Sequence, residues 1–464
     1  MIKKTNVKIF LFITIILSIV FTFTACSLFS RGENESIISS YINQKGELIV
    51  QYSSGNTKNL GVVVGKDGAD GKDGKDGIDG KDGIDGKDGK DGIDGKDGET
   101  IIQDGNIISN STSITKPVAE CIQSAVVIQS EFLVPDQLGV PTQAFSTGSG
   151  VIYDFDKETG NALVVTNYHV VFNTNDLNTI DGISNNIEVF LYGHLSKNQA
   201  ISANYVGGSM QYDLALLEIK NSDLIKSEEI KKVDIRSSDE VYVGESVFAI
   251  GNPKAEGFAV TSGIVSVDSE TIEMKAADEI SKINIRVMRT DTPINSGNSG
   301  GGLFDENGYL IGIVNAKYFD SSIDNIGYAI PSSTMVTIIE NIKYYCLNTE
   351  TKNVQRPLLG ITVEIKNPYS KYNKETGLVD LYENSTVVSV TEGGLADGKL
   401  FEGDILRKIE ISGITNLSVN VTRQYKIEAL INARLGDIVT ITVERNGELV
   451  EVPFEITRAC FVPA

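Results

Sequence analysis

Between about residues 118 and 330 the chain is a succession of short apolar segments separated by turn residues: GSGVIYDF, NALVVTN, IEVFLYG, DLALLEI, ESVFAIG and LIGIVNA. Few helical periods lie between them. Short strands at that spacing predict an all-β barrel or sandwich. A run of 3.6-residue period, Ser333 to Tyr345, predicts a helix closing the region. A last block, residues 354–461, carries further strands, a helix-like run RQYKIEALINA, and Asn446-Gly447 inside ERNGEL, a two-residue hairpin signal. Near the other end, residues 37–64 alternate apolar and polar positions around turns, which predicts a small hairpin unit. A hairpin alone is marginal in water, so that unit needs partners.

A different period fills residues 65–98, where glycine occupies every third position. A collagen-like triple helix demands that spacing, because only hydrogen fits where three chains meet on the axis. The tract has no proline, and Lys and Asp recur in its second and third places. Cross-chain ion pairs are one source of stability there, at about 0–1 kcal/mol each. A solvated flexible spacer is the other reading. The triple helix would reach about 100 Å and the coil about 30–35 Å, so both make a stalk.

Ahead of these parts, Lys3, Lys4 and Lys8 precede an uncharged, mostly apolar run from Ile9 to Ala25. This is an export signal or an uncleaved anchor, and either places the remainder outside the cytoplasm. Phe23-Thr24-Ala25-Cys26 resembles a bacterial lipoprotein processing site, in which Cys26 would carry lipid and hold the chain to the membrane. Cys121, Cys346 and Cys460 remain, enough for at most one internal disulfide. No Cys-x-x-Cys or His/Cys cluster marks a metal site, and no cofactor is implied. With 464 residues and a formal charge of −21, the chain is long enough for several units and lacks the basic footprint that nucleic-acid binding needs.

The stretch INSGNSGGGLF, residues 294–304, surrounds Ser299 with backbone free to approach closely. A flexible loop would look like this, and so would a nucleophile held beside oxyanion-binding N–H groups. Two histidines are available as a base. His169 ends an apolar strand in TNYHVV, whereas His194 in LYGHLSK reads as a surface residue. Asp213 opens DLALLEI. The order His169, Asp213, Ser299 is that of the chymotrypsin-like architecture.

Seven ordered segments, STGSGVIYD, VVTNYHVV, DLALLEI, FAIGNP, VTSGIVS, TDTPINSGNSGGGL and NIGYAIP, resemble the HtrA/DegP family of trypsin-like serine proteases. The resemblance runs from about Val118 to the C-terminus. It implies two packed six-stranded β-barrels, from about Val118 to Asp234 and onward to about Glu340, with the site in the cleft between them. Ser299 would be the nucleophile, His169 the general base and Asp213 its orienting acid. The N–H groups of Gly297 and Ser299 would form the oxyanion hole. Ile294, Lys317 and Tyr318 fall where the family's primary specificity pocket is lined, the last two replacing aliphatic residues. Ser296 and Gly302 stand where proline is frequent. The last block resembles a PDZ module, with Leu359, Gly360 and Ile361 of RPLLGI receiving a peptide's terminal carboxylate beside an edge strand.

The expected organisation is therefore a signal or anchor (1–25), a polar tether with the hairpin unit (26–64), the stalk (65–98), a linker (99–117), a two-barrel protease domain (118–350) and a PDZ domain (354–461). The expected protein is a membrane-tethered, extracytoplasmic endopeptidase of unfolded or misfolded proteins. It would be a homotrimer, like members of the family. An adhesive surface protein on a protease-like scaffold and a chaperone with weak proteolysis are the other classes. A complete triad argues against the adhesive scaffold.

Overall fold

The computed structural model describes residues 37–42, 45, 47–52, 56–62, 101–103, 106–108, 113–252, 257–316, 326–347 and 349–463. The chain divides into two units, residues 1–95 and 96–464. The Ile9 to Ala25 run, Cys26, the Gly-x-y tract, Lys317 and Tyr318 lie outside the described residues.

In the first unit β1 (Ile37–Ile42), β2 (Glu47–Tyr52) and β3 (Thr57–Val62) form an antiparallel meander of order β1-β2-β3. The predicted hairpin thus has a third strand. Three strands give a sheet the extra pairing that a lone hairpin lacks. In the second unit, β4 (Ile101–Gln103) and β5 (Asn106–Ile108) pair with each other.

Two closed barrels follow. The first consists of β6 (Ala125–Pro135), β7 (Pro141–Asp156), β8 (Asn161–Thr166), β9 (Asn186–Leu191), β10 (Ile201–Ser209) and β11 (Leu214–Ile219), closed in the order β10-β11-β8-β7-β6-β9. The second consists of β12 (Ser246–Gly251), β13 (Ala259–Lys275), β14 (Lys282–Thr290), β15 (Gly302–Asp305), β16 (Leu310–Asn315) and β17 (Gly327–Pro331), closed as β12-β13-β14-β17-β16-β15. This is the chymotrypsin-like double barrel.

Several strands read as unbroken apolar runs because both of their faces are covered. On β11, Ala215, Leu217 and Ile219 point into the first barrel, while Leu214 and Leu216 join a core shared between the barrels. On β12, Val247 and Ala249 fill the second barrel, and Phe248 and Ile250 join the same shared core. The helix Ser332–Tyr345 adds Met335, Ile338, Ile339 and Ile342 to it. Phe248 and Phe304 stack there at 5.4 Å, both fully buried. Truncating either would cost about 3–5 kcal/mol. The cleft is therefore bounded by walls that cannot easily shift.

The C-terminal part has its own apolar core, including Val387, Leu406, Ile409, Val439, Ile441 and Phe454. Its main sheet runs β19 (Ile361–Asn373), β20 (Leu378–Val390), β21 (Ile405–Ser412), β23 (Ile438–Arg445), β24 (Glu448–Glu455), with β22 (Leu417–Asn420) paired to β21. A separate pair, β18 (Gln355–Pro357) with β25 (Phe461–Pro463), ties the chain end back to the start of this part. The predicted Asn446-Gly447 turn joins β23 to β24, and both residues have positive φ, +54° and +84°, as a type I′ turn requires.

The helix-like run RQYKIEALINA forms a 3₁₀ helix, Gln424–Asn432. It is anchored at both ends. Arg423 Nη1 donates to Asp268 at 2.9 Å, and Asn341 Nδ2 donates to the Ile431 carbonyl at 3.0 Å. A 3₁₀ helix rises about 2.0 Å per residue against 1.5 Å for an α-helix, so the same residues reach farther between the two anchors.

Candidate active site

Asp213 precedes β11 and is buried, with φ at +49°. That left-handed conformation costs a residue with a Cβ about 1–3 kcal/mol, and Asp tolerates it better than most. The turn aims both carboxylate oxygens at His169. Oδ1 accepts from the His169 backbone N–H at 3.0 Å, and Oδ2 lies 2.7 Å from His169 Nδ1. Asn315 Nδ2, at the end of β16, donates to the same Oδ2 at 3.0 Å. Asn167 Nδ2 donates to the Asp213 carbonyl at 3.0 Å.

His169 sits on one helical turn, Tyr168–Val171, after β8. Its neighbours Tyr168, Val170 and Val171 are buried, and its own ring keeps partial exposure at the cleft. With Nδ1–H pointing at a carboxylate, Nε2 is left as the acceptor, the tautomer a general base needs.

Ser299 is buried on the loop that leads into β15. The loop is pinned by its own backbone: Asn298 N–H donates to the Asn295 carbonyl at 3.0 Å, Gly301 N–H to that of Asn298 at 3.0 Å, and Gly300 N–H to that of Val314 at 2.9 Å. The first barrel reaches across to hold it too. Ser149 on β7 donates from its N–H to the Ser299 carbonyl at 2.8 Å and from its Oγ to the Gly297 carbonyl at 2.8 Å. Ser149 Oγ in turn accepts from the Asn252 N–H at 2.9 Å. A Cβ on Gly300, where φ is +85°, would stand 2.2 Å from the Ser149 carbonyl oxygen, so only glycine fits. Gly297 also has positive φ, +95°. Among the described residues the N–H groups of Gly297 and Ser299 donate to no protein acceptor.

The structure thus brings His169 and Asp213 into direct contact. Ser299 lies in the same cleft, but its Oγ accepts from the Ala316 N–H at 3.1 Å, and no hydrogen bond joins it to His169 among the described residues. Catalytic hydrogen bonds in unliganded enzymes are often long and tighten with substrate. Ile294 packs against the core of the second barrel and faces Gly327, where a Cβ would come within 2.5 Å of its side chain. His194 is more than a surface residue. Its Nδ1 lies 2.8 Å from Gln199 Nε2 and its Nε2 lies 3.1 Å from Glu228, and neither partner is a residue of this site.

Asn315, Ser149 and Asn167 were not legible as site residues, because each acts through an approach between distant strands. The one local signal was an asparagine closing an apolar strand, as in GIVNA.

Cys121, Cys346 and Cys460 are free and buried. Burial, reinforced chiefly by Glu120, pushes the Cys121 thiol up to about 12, so it stays unreactive at neutral pH. Among the described residues no His/Cys/Asp/Glu group is arranged to hold a metal, and no helix is long and apolar enough to cross a membrane.

A second concavity of about 690 Å³ lies beside β19. Its lining includes Leu359, Gly360, Ile361 and Val363, the 3₁₀ helix residues Gln424, Ile427 and Leu430, and Glu270 and Arg286 of the second barrel. Gly360 has φ of +76°. The N–H groups of Leu359 and Gly360 find no protein acceptor among the described residues.

A closed pair of antiparallel barrels with a histidine, an aspartate and a glycine-framed serine at their junction defines a trypsin-like serine endopeptidase. A family profile described as a trypsin-like peptidase domain matches residues 148–313. "Serine protease Do-like HtrA" of Lactococcus lactis subsp. lactis (strain IL1403) is 31% identical over 66% of this chain and 69% of its own. The chain belongs to the Do-like HtrA serine proteases. "Probable periplasmic serine endoprotease DegP-like" of Rickettsia conorii is 31% identical over 67% of this chain and 53% of its own. Among solved structures, the HtrA-type protease AlgW with decapeptide covers 76% of this chain and 99% of that one, at 25% identity and a TM-score of 0.49.

Proposed function

We propose that this protein is a membrane-tethered, extracytoplasmic endopeptidase of unfolded or misfolded exported proteins, working through Ser299, His169 and Asp213. The observation that carries the reading is the Asp213 carboxylate bonded at once to the His169 ring and backbone, beside a serine framed by N–H groups that have no acceptor among the described residues. On substrate binding, rotation about the Ser299 Cα–Cβ bond takes Oγ from the Ala316 N–H to His169 Nε2. Oγ then attacks the peptide carbonyl as Nε2 takes its proton, and the oxyanion is received by the N–H groups of Gly297 and Ser299. His169 passes the proton to the departing amine, leaving an acyl-enzyme that water hydrolyses by the same route. Asp213 holds the tautomer and stabilises the imidazolium.

Ile294, Lys317 and Tyr318 are assigned to the primary specificity pocket. The C-terminal part is assigned as a PDZ module that binds chain ends through Leu359, Gly360 and Ile361, supported by the edge position of β19 and the cavity beside it. Lipid on Cys26 or the uncleaved Ile9 to Ala25 segment supplies the anchor, and the Gly-x-y tract the stalk. Its threefold period fits a homotrimer. The periplasmic relative supports the location.

Incubating the chain with unfolded casein beside its Ser299→Ala variant tests the enzyme. Turnover is expected to fall by about 10⁴ to 10⁶. Equal cleavage by both proteins would remove the assignment.

A further inference from the structure

One of the chain's own side chains bridges the cavity beside β19. β19 is the edge strand of its sheet, bonded to β20 on one side only, so backbone groups on its other side are open to pairing. An added strand takes its affinity from such groups. Gln424 already occupies one of them: its Nε2 donates to the Val363 carbonyl at 3.2 Å.

The backbone of Gln424 is held by a charged group, whereas its side chain is held to β19 by a neutral hydrogen bond. The Gln424 N–H donates to Glu383 Oε2 at 2.8 Å, and Glu383 Oε1 accepts from Arg423 Nε at 3.2 Å. Arg423 is held to Asp268 on the second barrel at 2.9 Å. The Gln424 amide crosses from this anchored base to β19 on one neutral hydrogen bond, over the apolar floor formed by Ile361, Val363 and Ile427.

We infer that Gln424 is a displaceable strap on the peptide groove, which an incoming C-terminal peptide must lift from Val363 before it can pair along β19. The inference rests on the reading of this groove as a peptide site. Its effect is to lower affinity for every ligand that adds as a strand. One neutral hydrogen bond corresponds to roughly a fivefold change in Kd.

The test uses the full chain in detergent, carrying Ser299→Ala so that the probe survives. The probe is a fluorescein-labelled decapeptide ending in Val-Leu-Phe with a free carboxylate, followed by anisotropy, with the C-terminal amide as control. Gln424→Met keeps the length without a donor, and Gln424→Asn keeps the amide but is too short to reach. Both are expected to bind about fivefold tighter. Equal or weaker binding by these variants overturns the strap, and weaker binding makes Gln424 a ligand contact instead. If no version binds, or the amide binds equally well, the peptide-groove reading itself fails.

Discussion

The cleft between the barrels and the groove beside β19 hold their working groups in opposite ways. In the cleft, Asp213 has both oxygens engaged, one of them twice, and the carbonyls of Gly297 and Ser299 are each bound by Ser149. In the groove, the Gln424 amide crosses to β19 on one bond. The difference follows from the tasks proposed for them. A reaction gains from groups fixed before charge develops, whereas recognition of varied chain ends gains from groups still able to move.

After loss of the Ser299 hydroxyl, Asp213→Asn strikes the cleft hardest. It keeps the shape and removes the charge that selects the His169 tautomer, so kcat is expected to drop about 10⁴-fold with the fold intact. A loss below tenfold would mean that the pairing seen here does not govern the chemistry. Asn315→Ala removes one donor to the same carboxylate. Roughly a ten- to hundredfold fall in kcat with KM unchanged is expected, since hydrogen bonds to charged groups contribute about 1.5–3 kcal/mol. An effect on KM alone would place Asn315 with substrate binding.

The smallest effect belongs to the groove side. Glu428 Oε2 accepts from Thr334 Oγ1 at 2.7 Å, across the contact between the 3₁₀ helix and the helix Ser332–Tyr345. Burial raises its carboxyl above the ordinary value, opposed by Arg286 and by that hydrogen bond. A group raised on folding contributes stability that is present at low pH and lost as pH rises through the folded value. The melting temperature of the native chain should therefore decline with rising pH above the carboxylate range. Glu428→Gln should flatten the decline, with a difference of about 2 °C. Parallel declines in both proteins would show that another group is responsible.

The two sites also differed in how far the sequence revealed them. Ser299, His169 and Asp213 each stand at a break in a periodic segment, where a polar residue interrupts an apolar strand or a glycine run, so pattern marks them as candidates, and their joint order and the resemblance of seven ordered segments single them out. Barrel strands such as DLALLEI were legible for the same reason: continuous apolar runs of strand length need two covered faces, and the packed barrels provide them. Gln424 was hidden in a run with helical spacing, because its role depends on Val363 approaching from 61 residues away. The 3₁₀ form of that run was equally illegible, since its anchors, Asp268 on the second barrel and Asn341 on the helix Ser332–Tyr345, are distant in sequence. The meander of the first unit gained a strand because TKNLGV, residues 57–62, pairs with β2, which short-range alternation does not distinguish from a tail.

Ser149 has a mechanical consequence. With its N–H and hydroxyl both clasping the serine loop, a strand of one barrel serves as the jig for the reactive atom of the other. A force that pries the barrels apart must either break those two links or drag Gly297 and Ser299 out of shape. Separation of the barrels would thus distort the serine loop directly.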